Sequence, residues 1–404
     1  MNVPFFRPAI TEAEIEAVVA CLRTGWLTTG PNTKRFEAML AEAVGAKHAV
    51  AVNSCTAGLH LAVEAHNLTA GQAVLVPTMT FAATAEIVRY QGAVPILVDC
   101  DPNTFNMDLD DARRKIERLK SGKLGANVPS DLELVGVIPV HVSGLMMDVG
   151  AIHTFAREHN LWVIEDAAHA LPAAWRKSAA EPWQKCGQGT AAVTCFSFYA
   201  NKTITTGEGG MAVTEDSALA DRMRMMSLHG LSHDAWGRYS GGGSWDYRIV
   251  APGYKYNLTD MAAALGIKQL ERAEELRLAR EQLALAYHSD FADLAEIDLP
   301  VMPENRIHSW HLYPIRLHLD RLSITRNEFI ESLKARGVGC SVHWRPLHLH
   351  PYYSEQFAWS PDEFPVATKL WERLVTLPLF PTMSADEHRH VVTVARDLCC
   401  EHHR

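Results

Sequence analysis

LWVIEDAAHA (161–170) runs apolar for four residues, stops on two carboxylates and continues into small alanines. Without polar alternation, such a run predicts a strand buried on both faces, as in a parallel sheet covered by helices. Upstream, AVLVP (73–77), AVPILVD (93–99), LVGVIPVHV (134–142) and the short run 47–52 read the same way. Downstream, AAVTCFSF (191–198) and GMAVTED (210–216) extend the series. Helical patterns lie between them, as with Leu59, Ala62 and Val63 after NSCTAG (53–58). Strands alternating with helices predict an α/β fold with a mostly parallel seven-stranded sheet. Asp99, His141, Asp166 and Ser197 fall at or near strand ends, where open α/β sheets gather their ligands.

Further out, Thr11-Glu-Ala-Glu14 reads as a capping box for a first helix. One long helix is expected from about residue 259, in TDMAAALGIKQLERAEELRLAREQLALAY. Beyond it HLYPIRL (311–317) reads as a strand, ITRNEFIESLKARG (324–337) as a helix and VGCSVHW (338–344) as a strand. Ser384 to Glu387 caps a last helix carrying Val391, Val392 and Val394. The expected division is a large domain, 1–265, and a smaller α+β domain, 266–404.

With 404 residues, 48% of them hydrophobic, the chain has ample material for both cores. A formal net charge of −9 argues against a nucleic-acid surface, which needs clustered cations. No run approaches the roughly 18 apolar residues of a membrane span, and the N-terminus lacks a basic segment followed by an apolar one. Eight cysteines without a CxxC pair read as reduced thiols, which predicts a cytoplasmic protein. Of the 20 histidines, His343, His348 and His350 lie closest together but lack metal-hydrolase spacing, so no metal is expected.

Chemistry concentrates in FSFYANKTITTGEGGMAVT (196–214), where Lys202 follows a strand end in a glycine-rich turn. A lysine amine attacks a carbonyl only when deprotonated, which burial favours. A single loop lysine is most often solvated, so three further segments carry the case. Asp166 at its strand end is placed to pair with a protonated pyridine nitrogen, although capping a helix is an equal use. NSCTAGLHLAV (53–63) puts Ser54, Thr56, Ala57 and Gly58 at a helix start, whose amides and dipole suit a phosphate. PTMTFAATAEIV (77–88) sets Phe81 just past a strand end, as a ring to stack on a cofactor.

Together these segments resemble the DegT/DnrJ/EryC1/StrS family of sugar aminotransferases, of pyridoxal 5′-phosphate (PLP) fold type I. The resemblance extends from GWLTTGP (25–31) through HWRPLHLHPYY (343–353) to LPLFP (377–381). APGYKYNLTDMAAALG (251–266) is most similar to enzymes that aminate C4 of UDP-linked keto-sugars, and FYANKTITTGEGGM also to perosamine synthases. The resemblance implies an aspartate-aminotransferase-like large domain, PLP as cofactor, and Lys202 as both Schiff-base lysine and proton carrier. It implies that Asp166 partners the ring nitrogen, His169 lies near the cofactor's 3′-oxygen and Phe81 stacks on the ring. Thr56, Ala57 and Ser197 match phosphate contacts. The family's GxNxR motif, given across a homodimer interface, reads here Gly253-Tyr-Lys255-Tyr-Asn257, which leaves Lys255 and Asn257 as alternatives for that contact. Thr29, Gly30, His343 and Trp344 match sugar-lining positions, and Arg238, in the 231–250 loop, is a candidate for a diphosphate. The implied partners are a nucleotide-linked keto-sugar, L-glutamate with 2-oxoglutarate, and a second copy of the chain. A sugar dehydratase of this fold carries histidine in place of the lysine, and a sensor would not need Lys202 with Asp166.

Overall fold

The computed structural model describes residues 1–125, 127–231 and 248–404, so Arg238 lies outside the described residues. The large sheet holds β1 (His48–Val52), β2 (Gln72–Pro77), β3 (Val94–Val98), β4 (Glu133–Val137), β5 (Trp162–Asp166), β8 (Val193–Ser197) and β9 (Gly210–Thr214). Two smaller sheets are built from β6 (Ala174–Trp175), β7 (Gln184–Lys185) and β11 (Arg306–Ile307), and from β10 (Ile297–Asp298), β12 (Tyr313–Leu317) and β13 (Leu374–Leu377). The seven strands lie in the order β1-β9-β8-β5-β4-β2-β3. Only β9 is reversed, pairing antiparallel with β1 and β8, while the remaining pairs are parallel. The expected mostly parallel, seven-stranded α/β sheet is therefore what forms.

Alternation along each strand divides two cores. Val50 and Val52 of β1 and Ala212 of β9 face one cluster, which includes Leu59, Leu61 and Val63. Ala49 and Ala51, with Met211 and Val213, face the other, which includes Phe36 and Leu40. Complete burial of such side chains contributes about 1.5–3 kcal/mol each, which fixes the register: a one-residue slip would exchange both faces. A third cluster lies around β12 and β13 and joins Tyr287, Tyr313, Phe329, Leu377 and Leu398 with Val3 from the N-terminus.

Helix α1 (Glu12–Thr24) starts as expected, with Glu14 accepting the Thr11 N–H at 2.8 Å. Helix α2 (Pro31–Val44) is capped from a distance. The Asp260 carboxylate accepts the N–H groups of Gly30, Asn32 and Thr33 at 2.7, 3.0 and 2.9 Å, satisfying donors that a helix start leaves unpaired. Helices α3 (Cys55–Ala65) and α4 (Ala83–Tyr90) follow β1 and β2.

Two sequence expectations are corrected. The long helix from about 259 is two helices, Asp260–Glu271 and Ala273–Asp290, because Arg272 leaves helical geometry at φ −110°. The segment 338–344 is not a strand: only isolated bridges form, Val338 to Val3 and Ser341 to Thr376. Among the described residues no helix is long and apolar enough to cross a membrane.

Candidate active site

Parallel strands send their carboxyl ends to one edge, and the sequence places polar residues there. At that edge lies a cavity of about 470 Å³. Thr56, Phe81, Asp166, His169, Ser197, Lys202, His343 and Trp344 all line it, although they come from five separate segments of chain.

Lys202 enters from the turn between β8 and β9. Where that turn ends, β9 is pressed against the start of α3: a Cβ on Gly210 would come within 2.5 Å of the Cys55 nitrogen. Only glycine permits this approach. Burial draws the Lys202 amine from 10.5 to about 8; Cys55 and Asp166 oppose the shift and the Arg280 cation adds to it. About a tenth is therefore uncharged at pH 7, against well under a thousandth for an ordinary lysine, and that is the form that can act as a nucleophile or base.

Asp166 ends β5 and is buried. Its Oδ2 accepts the Thr84 hydroxyl at 2.7 Å, and its Oδ1 accepts the Ala168 N–H at 3.1 Å. Thr84 is held in turn by Thr80, 2.7 Å away on the same short segment. Burial pushes the Asp166 carboxyl up, while Thr84, Ala168 and Lys202 hold it down. A cation facing it from the cavity would favour the charged form.

At the start of α3, the Ser54 hydroxyl accepts the Ala57 N–H at 3.1 Å. Ala57 is thus buried behind the cavity wall with its amide occupied. Cys55 and Thr56 open the helix with amides that no intrahelical carbonyl can reach, beside Ser197 in the same cavity. Phe81 is 62% exposed, with its ring at the cavity mouth.

His169 and Trp344 stack at 5.1 Å with an 18° interplanar angle. His343 reaches the same wall with Nδ1 3.0 Å from the Thr376 hydroxyl of β13 and its ring on Phe5. Burial draws His343 down to about 4 and His169 well below the usual range, so both are neutral rings.

The remaining candidates gather elsewhere. Asn257 donates to the Thr29 hydroxyl at 2.7 Å, which donates to the Leu258 carbonyl at 2.6 Å. Lys255 donates to Asn257, and Gly30 is tied to Asp260. None of these four lines the cavity of this chain. Two polar strand ends have structural uses. Asp99 accepts the N–H groups of Val366 and Ala367 at 2.9 and 2.8 Å. His141 lies 3.4 Å from Glu165, beside Cys186. The Met147 N–H points at His141 Nδ1, so the proton sits on Nε2, turned to Glu165, and that nitrogen has no lone pair for a metal.

Sequence reading missed His311 and Thr84. His311 lines the cavity, with Nε2 3.5 Å from the Lys202 amine. Its only sequence signal is that it opens the HLYPIRL stretch, two residues ahead of β12. Thr84 was legible as the fourth residue after Thr80 on a helix start, the spacing that aligns two hydroxyls.

The residues present suit PLP: a buried amine, a buried carboxylate across the same cavity, and a helix start with free amides. Residues 8–396 match the family model described as the DegT/DnrJ/EryC1/StrS aminotransferase family. The chain is 40% identical over 397 residues to the spore coat polysaccharide biosynthesis protein SpsC of Bacillus subtilis, covering 98% of this chain and 97% of that one. It is 41% identical over 400 residues to MJ1066 of Methanocaldococcus jannaschii, covering 99% and 98%. The sugar aminotransferase Spr1654 of Streptococcus pneumoniae, solved in its PLP form, superposes with a TM-score of 0.86 at 30% identity, covering 99% of each chain.

Proposed function

The chain belongs to the DegT/DnrJ/EryC1/StrS aminotransferase family, and from that premise we propose that it moves an amino group from L-glutamate to a nucleotide-linked keto-sugar. The acceptor is a 4-keto hexose or pentose, and the product feeds a cell-surface polysaccharide, lipid or natural-product sugar. The likeness to SpsC supports polysaccharide biosynthesis. PLP, the family's cofactor, supplies when bound a carbonyl carbon to carry the amine and a ring that accepts electrons.

One observation carries the reading: the Lys202 amine, drawn down to about 8 by burial, shares a cavity with Asp166, Ser197 and the start of α3. Lys202 would attach the cofactor and, once released, carry the donor's α-proton on Nζ. Asp166, kept in position by Thr84 and Ala168, would hold a proton on the ring nitrogen. Thr56, Ser197 and the first amides of α3 would bind the phosphate, and Phe81 would cover the ring. His169 would meet the 3′-oxygen, while His343 and Trp344 would close on the sugar and exclude water.

The active unit in this reading is a cytoplasmic homodimer, in which Lys255 or Asn257 of one subunit completes the phosphate site of the other. Thr29 and Gly30 border that contact. The chain divides into a large domain, 1–265, and a small one, 266–404.

Incubating the protein with UDP-, GDP- and dTDP-linked 4-keto sugars and L-glutamate tests the proposal by product mass. A mass gain corresponding to replacement of carbonyl by amine is expected with at least one sugar. Amination of free keto-acids alone would refute the substrate class.

A further inference from the structure

We propose that His311 is a second proton carrier of this site, exchanging protons with the Lys202 amine through Nε2. The proposal rests on the transaminase reading of Lys202 and deepens it.

The geometry is direct. His311 Nε2 lies 3.5 Å from Lys202 Nζ, and the ring lines the cavity. His169, although its ring centre is 4.2 Å from that of His311, is engaged on Trp344. Among the described residues His311 is the imidazole within hydrogen-bond distance of the lysine amine.

Its position is fixed from three sides. The His311 N–H donates to the Ser143 carbonyl at 3.1 Å. Its carbonyl accepts from Arg280 Nη1 at 3.2 Å, and the same nitrogen holds the carbonyls of Trp310 and Leu379 at 3.3 and 2.8 Å. Trp310 adopts φ +51°, a conformation that costs a bulky residue energy and persists only where its surroundings enforce it. The loop also passes close over Gly144, where a Cβ would meet the Ser309 hydroxyl at 1.8 Å.

The electrostatics keep the ring uncharged at rest, so a proton it takes up is readily given on. Burial holds the ring neutral; His169, Lys202, Arg280 and His343 add to the effect. Around Lys202 the charged and titratable groups are Asp166 on β5, Cys55 on α3, Arg280 behind, and the His169, His311 and His343 rings. Arg280, buried and bonded to carbonyls alone, is a cation that discourages a standing charge on His311. The ring's Nδ1 is buried without a hydrogen-bond partner among the described residues. With Nδ1 closed off, protons enter and leave the neutral imidazole at Nε2.

In the transfer, the Nζ–H bond of the ammonium breaks and an Nε2–H bond forms. The same Nε2, on the cavity side of the ring, then passes that proton to a water or to the donor's carboxylate. Lys202 is left as the free amine, the ring is again neutral, and nothing is oxidised. Reversal recharges the lysine.

Two variants test this: His311→Phe keeps the bulk, and His311→Gln keeps a hydrogen-bonding atom that cannot titrate. In cofactor-free protein, arylation of Lys202 by 1-fluoro-2,4-dinitrobenzene is followed against pH by peptide mass. In holoenzyme, the single-turnover rate with L-glutamate is followed against pH. We expect the arylation midpoint to move in His311→Phe. The single-turnover rate should fall about ten- to a hundredfold in both variants, within the range for a lost acid–base group. If glutamine restores the rate to within about twofold, His311 only positions the lysine and the relay is refuted. Unchanged arylation and unchanged rate in His311→Phe would also overturn it. A wild-type protein inert to L-glutamate would refute the proposed donor, and the arylation comparison would still decide for or against His311.

Discussion

Two regions of this chain carry residues with the look of a ligand site, and the structure treats them oppositely. At the carboxyl edge of the large sheet, Thr56, Ser197, Asp166 and Lys202 turn polar groups into one cavity. Around residues 29–30 and 255–260, polar groups turn to each other: Asn257 to Thr29, Lys255 to Asn257, and Asp260 to the start of α2. The first region keeps donors and charges unsatisfied within the chain, at a cost in stability, which is how a site stores affinity for something absent. The second satisfies its own groups and contributes to folding first. Any ligand role it has is exerted outward, from its exposed lysine.

Substitutions can break or sharpen this contrast. The largest effect is expected at Lys202. Lys202→Ala should lower amino transfer by about 10⁴-fold or more and abolish the visible absorbance that survives gel filtration. Asp166→Asn should cost about 10²–10³-fold in single-turnover rate, as for loss of one preorganised charged partner, with the cofactor retained. Thr84→Val removes the hydroxyl at 2.7 Å from Asp166 Oδ2 and should cost about tenfold, read in the same assay.

Asp260→Ala should behave in the opposite way. It leaves the Gly30, Asn32 and Thr33 amides without their carboxylate, so stability should fall by about 3 kcal/mol in urea unfolding. The turnover of the molecules that remain folded should fall far less than in Lys202→Ala.

Lys202 also gives the first region a pH signature in cofactor-free protein. Its folded pKa, about 8, lies below its ordinary 10.5, so between those values the unfolded chain binds more protons. Stability conferred through this group should therefore rise as pH passes from 8 to 10.5. Comparing urea midpoints of wild type and Lys202→Met at pH 7 and 10 checks it: the excess stability of the variant at pH 7 should shrink at pH 10. The smallest effect is expected for Lys255→Ala, about a fivefold loss of cofactor affinity, because one exposed cation contributes modestly. No loss at all would confine the second region to folding.

These contrasts mark how much the sequence could tell. Uninterrupted apolar runs such as Ile96–Val98 and Val163–Ile164 are one-dimensional signals, since only burial on both faces uses them. Hence the parallel sheet, its polar strand ends and the Lys202–Asp166 pair were readable from the chain alone. Lengths of regular structure were less so: Arg272 interrupts an otherwise helical pattern, and 338–344 has a strand's composition without a partner along its length.

What only the tertiary structure decided is which polar groups remain open. His141 looks like a strand-end ligand until Glu165 is found 3.4 Å away. His311 carries no pattern of its own, and its place beside Lys202 is set by Arg280, Ser143 and the close passage over Gly144. Burial periodicity is written along the chain because each residue's neighbours there share its face. Hydrogen-bond satisfaction depends on partners scores of residues away, so it exists only once the fold has brought them together.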